Sequence, residues 1–295
     1  MSGTTPAGRS TPTGPTTPAG GTAPVLEVRG AVKRFGAVTA LNHVDLTLHR
    51  GQVLGLLGDN GAGKSTLIKG IMGVHPMDEG EILIDGTPAR ISSPTDARDL
   101  GIEAVYQDLA LFDNLDIVTN LYVGHEITKP SWLGALSWLD KRAMHDDARE
   151  RLDRLQVNLP DFRSSIGLMS GGQRQAVSVA RAVAFAKRVL ILDEPTAALG
   201  VRETRNVLDI VRRLPQEHDI SIILISHNME HVVQVCDDAM VMRQGRVVGT
   251  ERPSPQTIQR IVSMIVGATT ADAGATTATT TPTGTTDRTD TPAAG

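Results

Sequence analysis

Two short stretches of this chain combine residue types that could bind and cleave a phosphate anhydride. Residues 58–65 read GDNGAGKS, which fits the pattern G-x-x-x-x-G-K-[ST] and follows an apolar run ending at Leu57. Glycines let such a loop curl so that backbone N–H groups surround phosphates. Lys64 is expected to reach the β- and γ-phosphates, and the Ser65 hydroxyl to ligate Mg²⁺. The predicted nucleotide-binding residues here are Gly58, Asn60, Gly61, Gly63, Lys64, Ser65 and Thr66.

A pair of acids follows a second apolar run. Residues 189–194 read VLILDE, which predicts a buried strand with two carboxylates at its C-terminal end, the edge where open α/β sheets bind ligands. Asp193 is expected to hold Mg²⁺, directly or through water. Glu194 is expected to act as general base on the attacking water, a role worth roughly 10²–10⁴ in rate. The alternative is a solvent-facing acidic pair, which a phosphate loop in the same chain disfavours.

A second anion-binding device is predicted at residues 170–173, which read SGGQ at the start of a helical pattern. A serine hydroxyl and glycine N–H groups at a helix N-terminus form such a site. The alternative is an ordinary capped helix start, but two glycines in a first turn lower helix propensity. The predicted ligand-binding residues are Ser170, Gly171, Gly172 and Gln173.

Alternating strand and helix patterns position these motifs. They predict an α/β core with a mostly helical insertion at about 116–186. Strands are predicted at 25–29, 44–48, 53–57, 81–84, 102–106, 189–192 and 220–225, with a closing hairpin at 240–242 and 246–248. Helices are predicted at 64–72, 173–186, 201–214 and 229–235, with a charged helical segment at 140–156.

Composition bounds the remaining possibilities for the 295 residues. Residues 1–24 and 267–295 are rich in Thr, Pro, Ala and Gly, which predicts disordered tails around a globular part. The net charge of −4, without long charge runs, gives no reason to expect nucleic-acid binding. A lone cysteine, Cys236, fits a reducing compartment. We expect neither a signal peptide nor a membrane span, so membrane association would come through a partner.

The order of these motifs resembles the ABC ATPase family. Residues 168–173, LMSGGQ, look like its signature, with Met169 where Leu is common. Phe35 resembles the aromatic residue that stacks on adenine, Gln107 the glutamine near Mg²⁺ and the permease, and His227 the histidine that contacts the γ-phosphate. The resemblance covers residues 25–266. It implies a P-loop NTPase core with an N-terminal antiparallel β region and an inserted helical subdomain carrying the signature.

The resemblance also implies partners, because each motif occurs once and the family's signature closes over ATP held by another subunit. A second ATPase domain is therefore expected, identical or related. Finer likenesses in residues 58–66, 104–111, 195–200 and 225–229 point to the sugar-import branch, near fructose, ribose and xylose systems. This implies a polytopic permease, an extracytoplasmic sugar-binding protein and a location at the cytoplasmic face of the membrane. Gly200 departs from the family, whose corresponding loop usually ends in Asp.

Other readings stay open to different degrees. The chain could also be the ATPase of an exporter, since only the resemblance to the sugar-import branch argues against that interpretation. Soluble ribosome-acting relatives carry two ATPase halves in one chain, and DNA-repair relatives have long insertions between Lys64 and Ser170, which this chain lacks. A binding module without turnover is disfavoured because Lys64, Asp193 and Glu194 are all present. The sequence does not name the sugar.

Overall fold

Parallel strands with apolar side chains on both faces form the centre of the molecule, seen in a computed structural model that describes residues 23–106, 111–129, 137–154, 162, 164–197 and 199–267. The strands are β1 (Pro24–Phe35), β2 (Val38–His49), β3 (Val53–Gly58), β4 (Glu79–Ile84), β5 (Thr87–Ala89), β6 (Ile102–Val105), β7 (Thr128–Lys129), β8 (Trp138–Leu139), β9 (Val189–Asp193), β10 (Ser221–Ile225), β11 (Asp238–Arg243) and β12 (Arg246–Glu251). The helices are α1 (Lys64–Ile71), α2 (Pro94–Asp99), α3 (Ile117–Leu121), α4 (Lys141–Arg154), α5 (Gly171–Phe185), α6 (Val201–His218), α7 (Met229–Val235) and α8 (Ile258–Val266).

The central sheet has the strand order β12-β11-β3-β10-β9-β6. Its pairs are parallel except for the β11–β12 hairpin at one edge. Successive side chains of a strand point to opposite faces, so Ile191 packs against α1 while Leu190 and Leu192 pack against α5 and α6. Apolar residues at every position are what a sheet covered on both faces requires.

A second sheet, with the order β2-β1-β4-β5, is antiparallel and lies beside the first. Leu26 and Val28 on β1 and Leu46 and Leu48 on β2 are buried in the same apolar core as α1. The amide of Asn42 donates to the carbonyl of Gly245 over 2.8 Å and links this sheet to the β11–β12 turn. This is the antiparallel region predicted at the N-terminal side.

Helices α3, α4 and α5 have an apolar core of their own, which includes Leu121, Met144 and Val177. A 3₁₀ turn at Ile166–Leu168 leads into α5. The prediction of a mostly helical insertion missed the short hairpin β7–β8, where Thr128 pairs with Leu139. Two-residue strands are too short for an alternating pattern to reveal them.

The structure contains an element at each predicted strand and helix, and others that the pattern did not indicate. Strand β5 and helices α2 and α8 were missed. For α2, a signal existed: Ser93 and Asp96 form a reciprocal capping box and Pro94 opens the helix. No helix within the described ranges is long and apolar enough to cross a membrane.

Candidate functional site

The predicted catalytic groups meet at one edge of the central sheet, where parallel strands end together. Strand β3 leads into the glycine loop, β9 ends at Asp193, and β10 ends at Ile225, which is paired with Asp193. His227 follows two residues after Ile225. Side chains from three separate chain segments therefore converge because of the parallel register, which the sequence order alone could not give.

The glycine loop lines a cavity of about 420 Å³. Glycine is required at two of its positions. A Cβ on Gly58 would collide with the carbonyl oxygen of Met242, and one on Gly63, where φ is 104°, would lie 2.8 Å from the carbonyl oxygen of Ala40. The cavity is lined by Val38, Thr39, Ala40, Asn60, Gly61, Ala62, Gly63, Lys64, Ser65, Thr66, Gln244 and Gly245.

Lys64 folds back over its own loop. Its Nζ donates to the carbonyl oxygens of Gly58, over 2.7 Å, and Asp59, over 3.0 Å. Burial lowers the pKa of Lys64, while the carboxylates of Asp193 and Glu194 act in the opposite direction. The Lys64 ammonium thus lies near both acids and at the N-terminus of α1, where a phosphate would be stabilised.

The two acids differ in environment. Burial, and secondly the charge of Glu194, raise the pKa of Asp193. Glu194 has a φ of 51°, which is rare for a non-glycine residue, and its N–H donates to the carbonyl of Ile225 over 3.0 Å. Such backbone strain, when held by surrounding structure, concentrates at functional sites.

His227 contacts Glu194 directly. Its Nδ1 lies 2.8 Å from Oε1 of Glu194, while the imidazole is 79% exposed. The next residue, Asn228, caps α7 by accepting from the amides of Glu230 and His231. The histidine is therefore fixed on one side by a helix cap and remains open to solvent on the other.

Sequence reasoning missed one contact in this region. The Thr196 hydroxyl lies 3.2 Å from Nδ1 of His231, which faces the turn that follows Glu194. Burial lowers the pKa of His231, so the neutral imidazole is favoured. No sequence pattern indicated this contact, because Thr196 and His231 lie 35 residues apart.

The predicted second anion device has the expected form. Ser170 is the N-cap of α5: its Oγ accepts from the Gln173 amide over 3.3 Å, and its own N–H donates to Oε1 of Gln173 over 2.9 Å. Ser170 and Gly171 are exposed and do not line the cavity of the glycine loop. The capped N-terminus of α5 therefore lies apart from the glycine-loop cavity, and its anion-binding role stays a prediction.

The structure gives no support for the predicted roles of Phe35 and Gln107. Phe35 ends β1 with 46% exposure, and its ring meets His75 edge-on at 5.6 Å, although its strand partner Val38 does line the cavity. Gln107 lies outside the described residues; β6, which leads toward it, ends at Val105 beside Leu192 of β9. The predictions for these two side chains stay predictions.

The donor chemistry of the site fits a magnesium ion shared with phosphates. No cluster of three or more His, Cys, Asp or Glu in the described ranges could hold a metal by itself. Ser65 and Asp193 offer the hard oxygen ligands that Mg²⁺ prefers when phosphate oxygens complete its shell. The proximity of the carboxylates of Asp193 and Glu194, one of which has a raised pKa, is an electrostatic arrangement that a cation would relieve.

Comparisons with known proteins agree with this geometry. A family model described as "ABC transporter" matches residues 41–197. The chain is 45% identical over 248 residues to the fructose import ATP-binding protein FrcA of Rhizobium meliloti, covering 83% of this chain and 94% of that protein. It is 41% identical over 241 residues to the xylose/arabinose import ATP-binding protein XylG of Sulfolobus acidocaldarius, covering 82% and 93%. A solved nucleotide-free ATP-binding cassette from an ABC transporter matches with a TM-score of 0.70 at 26% identity, covering 81% of this chain and 95% of that one.

Proposed function

Because this chain belongs to the ABC transporter family and is an ATPase of that family, we propose that it energises import of a monosaccharide through a separate membrane permease. The relatives named above are a fructose and a xylose/arabinose import protein, and both match nearly their whole length. The single observation that carries the catalytic part is the convergence of Lys64, Glu194 and His227 at one sheet edge. The unit responsible is residues 25–266, with its signature subdomain at about 116–186, and residues 1–24 and 267–295 are tails outside it.

The residues of the glycine loop bind the nucleotide. Backbone N–H groups from Gly61 to Ser65 face the phosphates, and Lys64 exchanges its two carbonyl acceptors for phosphate oxygens. Phe35 stacks on the adenine from the end of β1. The helix N-terminus at α1 adds its positive end to the same anion.

Glu194 accepts the proton of the attacking water, and His227 fixes the Glu194 carboxylate and reaches toward the γ-phosphate. Ser65, Asp193 and Gln107 are the residues that would hold Mg²⁺. A bound Mg²⁺ supplies neutralisation of the charge that develops on the transferred phosphoryl group. The remaining work of the chain is positioning and electrostatic stabilisation, which dominates phosphoryl transfer.

A second ATPase domain, in the simplest case a second copy, completes each site. The anion device at Ser170, Gly171, Gly172 and Gln173 does not line the chain's own nucleotide cavity, so it serves a nucleotide held by the partner. Two exposed apolar side chains lie close in sequence to the residues invoked here: Leu168 precedes Ser170 and is 88% exposed, and Val201 begins α6 and is 83% exposed. Apolar groups left in water beside polar binding residues are typical of interaction surfaces.

The membrane partners follow from the transport role. A polytopic permease and an extracytoplasmic sugar-binding protein would assemble with this subunit at the cytoplasmic face of the membrane. The sugar itself would be selected by those partners.

One pair of experiments tests the proposal. Purified chain is assayed for Mg²⁺-dependent ATP hydrolysis, and Lys64→Ala is expected to raise the Kd for ATP by roughly 10- to 100-fold, the range for losing one or two charged hydrogen bonds. Lys187→Ala, which alters an exposed lysine between α5 and β9, is the matched control. An unchanged Kd for ATP in Lys64→Ala would contradict the proposal that Lys64 binds the phosphates.

The transport role is tested by capturing tagged Glu194→Gln chain from its native cells with ATP and Mg²⁺ and identifying its partners by mass spectrometry. A polytopic permease together with an extracytoplasmic sugar-binding protein is the expected result. A permease of an exporter, or ribosomal proteins, would leave the ATPase assignment standing and overturn sugar import.

A further inference from the structure

The loop of residues 111–116 is bonded directly to the segment that precedes Ser170. The Asp113 carbonyl oxygen accepts from Ser165 Oγ over 2.7 Å and from the Gly167 amide over 2.9 Å. The Leu115 carbonyl accepts from the Ile166 amide over 3.1 Å. A Cβ at Gly167 would lie 2.9 Å from the same Asp113 oxygen, so the two backbones approach closely. These contacts join two segments that are far apart in sequence.

Arg174, the residue after Gln173, spans the same junction with its guanidinium. Nη1 lies 3.1 Å from Oδ1 of Asp113, Nε donates to the Met169 carbonyl over 3.3 Å, and Nη2 donates to the Gly167 carbonyl over 3.3 Å. A planar fork with three donors fixes its acceptors relative to one another. The carbonyl of Met169 belongs to the residue before Ser170, so Arg174 sets the backbone that carries the serine.

The loop on the other side of this junction is held rigidly by a buried side chain. Asn120 of α3 is fully buried; its Oδ1 accepts from the Phe112 amide over 2.7 Å, and its Nδ2 donates to the carbonyls of Phe112 and Asp116, each over 3.0 Å. Asp116 in turn caps α3 by accepting from the Thr119 amide over 2.7 Å. The loop therefore moves as one unit with α3.

The Asp113–Arg174 ion pair contributes little to the stability of the fold. The Asp113 side chain is 65% exposed and that of Arg174 is 32% exposed. Ion pairs in water stabilise by about 0–1 kcal/mol because solvent and salt screen them. What distinguishes this pair is its place, between the backbone before Ser170 and a loop that the α3 helix holds.

We propose that Arg174 is a positioning residue for the reaction, which through Asp113 ties the placement of Ser170 to the loop of residues 111–116. This inference rests on the proposed function, in which Ser170 acts on ATP held by a partner subunit. With the tie in place, Ser170 moves together with α3 and its loop. Without it, the α5 N-terminus keeps its cap and the bonds of Asp113 and Leu115 to residues 165–167 remain. The backbone of Met169 then loses its only side-chain tie to that junction within the part of the chain that the structure describes, and the partner's nucleotide meets a misplaced hydroxyl.

The test compares Arg174→Ala and Asp113→Asn with Arg260→Ala. The control breaks a similar exposed pair, Arg260 Nη1 to Glu251 Oε1 at 2.8 Å, on β12 and α8. We expect Arg174→Ala to lower kcat about tenfold or more, since small misplacements of positioned groups cost up to 10²-fold. Asp113→Asn should also lower kcat, but by a smaller factor, because the two hydrogen bonds from Arg174 to backbone carbonyls survive. Arg260→Ala should keep the parent kcat.

A second readout separates positioning from a general folding defect. The Kd for ATP of the single chain should stay at the parent value in Arg174→Ala, because its own glycine loop is untouched. In the Glu194→Gln background, Arg174→Ala should weaken ATP-dependent dimerisation measured by light scattering, and Arg174→Lys should weaken it less.

Two results would overturn the inference alone: a parent kcat in Arg174→Ala while Ser170→Ala is impaired, or a loss of ATP affinity in Arg174→Ala as large as its loss of kcat. A parent kcat in Ser170→Ala would overturn the proposed role of the signature and this inference with it.

Discussion

The imidazole of His227 and the carboxylate of Glu194 face each other across the ends of β10 and β9, with Nδ1 2.8 Å from Oε1. The backbone of Glu194 is tied to the same strand, since its N–H donates to Ile225. Both the side chain and the main chain of Glu194 are thus held by contacts at the C-terminal end of β10. The orientation of the proposed general base depends on two contacts, one from the last residue of β10 and one from His227 in the segment that follows it.

Glu194→Gln is expected to lower kcat by roughly 10²–10⁴, because the amide cannot accept a proton while it keeps the size and the contact to His227. The Kd for ATP should stay near the parent value. The measurement is steady-state hydrolysis alongside equilibrium nucleotide binding.

The matched control for that variant is Glu230→Gln, which neutralises an exposed acid in the first turn of α7, three residues after His227. Its kcat should equal that of the parent. Turnover near the parent rate in Glu194→Gln would remove the general-base assignment.

Gly58→Ala should destabilise the protein by roughly 2 kcal/mol or more, since the added methyl group collides with the Met242 carbonyl and neither backbone can yield cheaply. Gly61→Ala is the comparison. Gly61 also has a positive φ, 80°, but no atom lies within 4 Å of its Cβ position, so its cost should be about 1 kcal/mol, from backbone strain alone. Urea unfolding of both variants measures the difference; equal losses would mean that the steric contact is relieved elsewhere.

Asp193→Asn should stabilise the nucleotide-free protein near neutral pH. Because burial and Glu194 raise the pKa of Asp193, the native state holds this proton more tightly than the unfolded state does. The free energy of unfolding therefore falls as pH rises from the ordinary carboxyl pKa through the raised one. Below the ordinary pKa, the carboxyl group is protonated in both states and this penalty is absent.

Thermal unfolding at pH 7 and near pH 4, without nucleotide, checks the sign. The gain in midpoint for Asp193→Asn should shrink toward the lower pH, and Asp209→Asn, which alters an exposed acid of α6, should show no such trend. A gain that grows as the pH falls would contradict the linkage.

The sequence predicted the parts of this molecule in which chemistry and periodicity coincide. The nearly continuous apolar runs of β3, β9 and β10 predicted the strands of the parallel sheet, and GDNGAGKS after β3 predicted the glycine loop and the helix that follows it. The capping box of Ser170 and Gln173 was equally readable, because it depends on residues three apart.

Other features depend on tertiary structure and left no pattern. The positive φ of Glu194 accompanies its bond to Ile225 of β10, and the link from Asp113 to Arg174 joins residues 61 positions apart. Asn120 reads in sequence as one polar residue in a short helix, yet it is fully buried and organises a loop. Such contacts become visible only once the chain is folded.

Gly200→Asp tests the departure of this chain from its family. Gly200 is the N-cap of α6 and has no side-chain cap, and a Cβ there would lie 2.8 Å from Oε2 of Glu203. A new carboxylate would therefore adjoin an existing one. We expect Gly200→Asp to be less stable than Gly200→Asn by about 0.5 kcal/mol at low salt, the scale of a like-charge pair on a helix.

The double variants with Glu203→Gln provide the control. With Glu203 neutral, the difference between Asp and Asn at position 200 should vanish, or reverse in favour of Asp through the helix dipole. A difference that is independent of Glu203 and of salt would show that the acidic neighbour does not explain the preference for glycine.

The bonds from Lys64 Nζ to Gly58 and Asp59 have a kinetic consequence. Because Lys64 Nζ bonds to two carbonyls of its own loop, these bonds support the curvature of the loop, and we expect little conformational entropy to be lost when ATP binds. The entering phosphates must, however, displace two existing hydrogen bonds. We therefore expect nucleotide binding to exchange the acceptors of Lys64 Nζ from carbonyl to phosphate oxygens, and the breaking of the two carbonyl bonds to slow association.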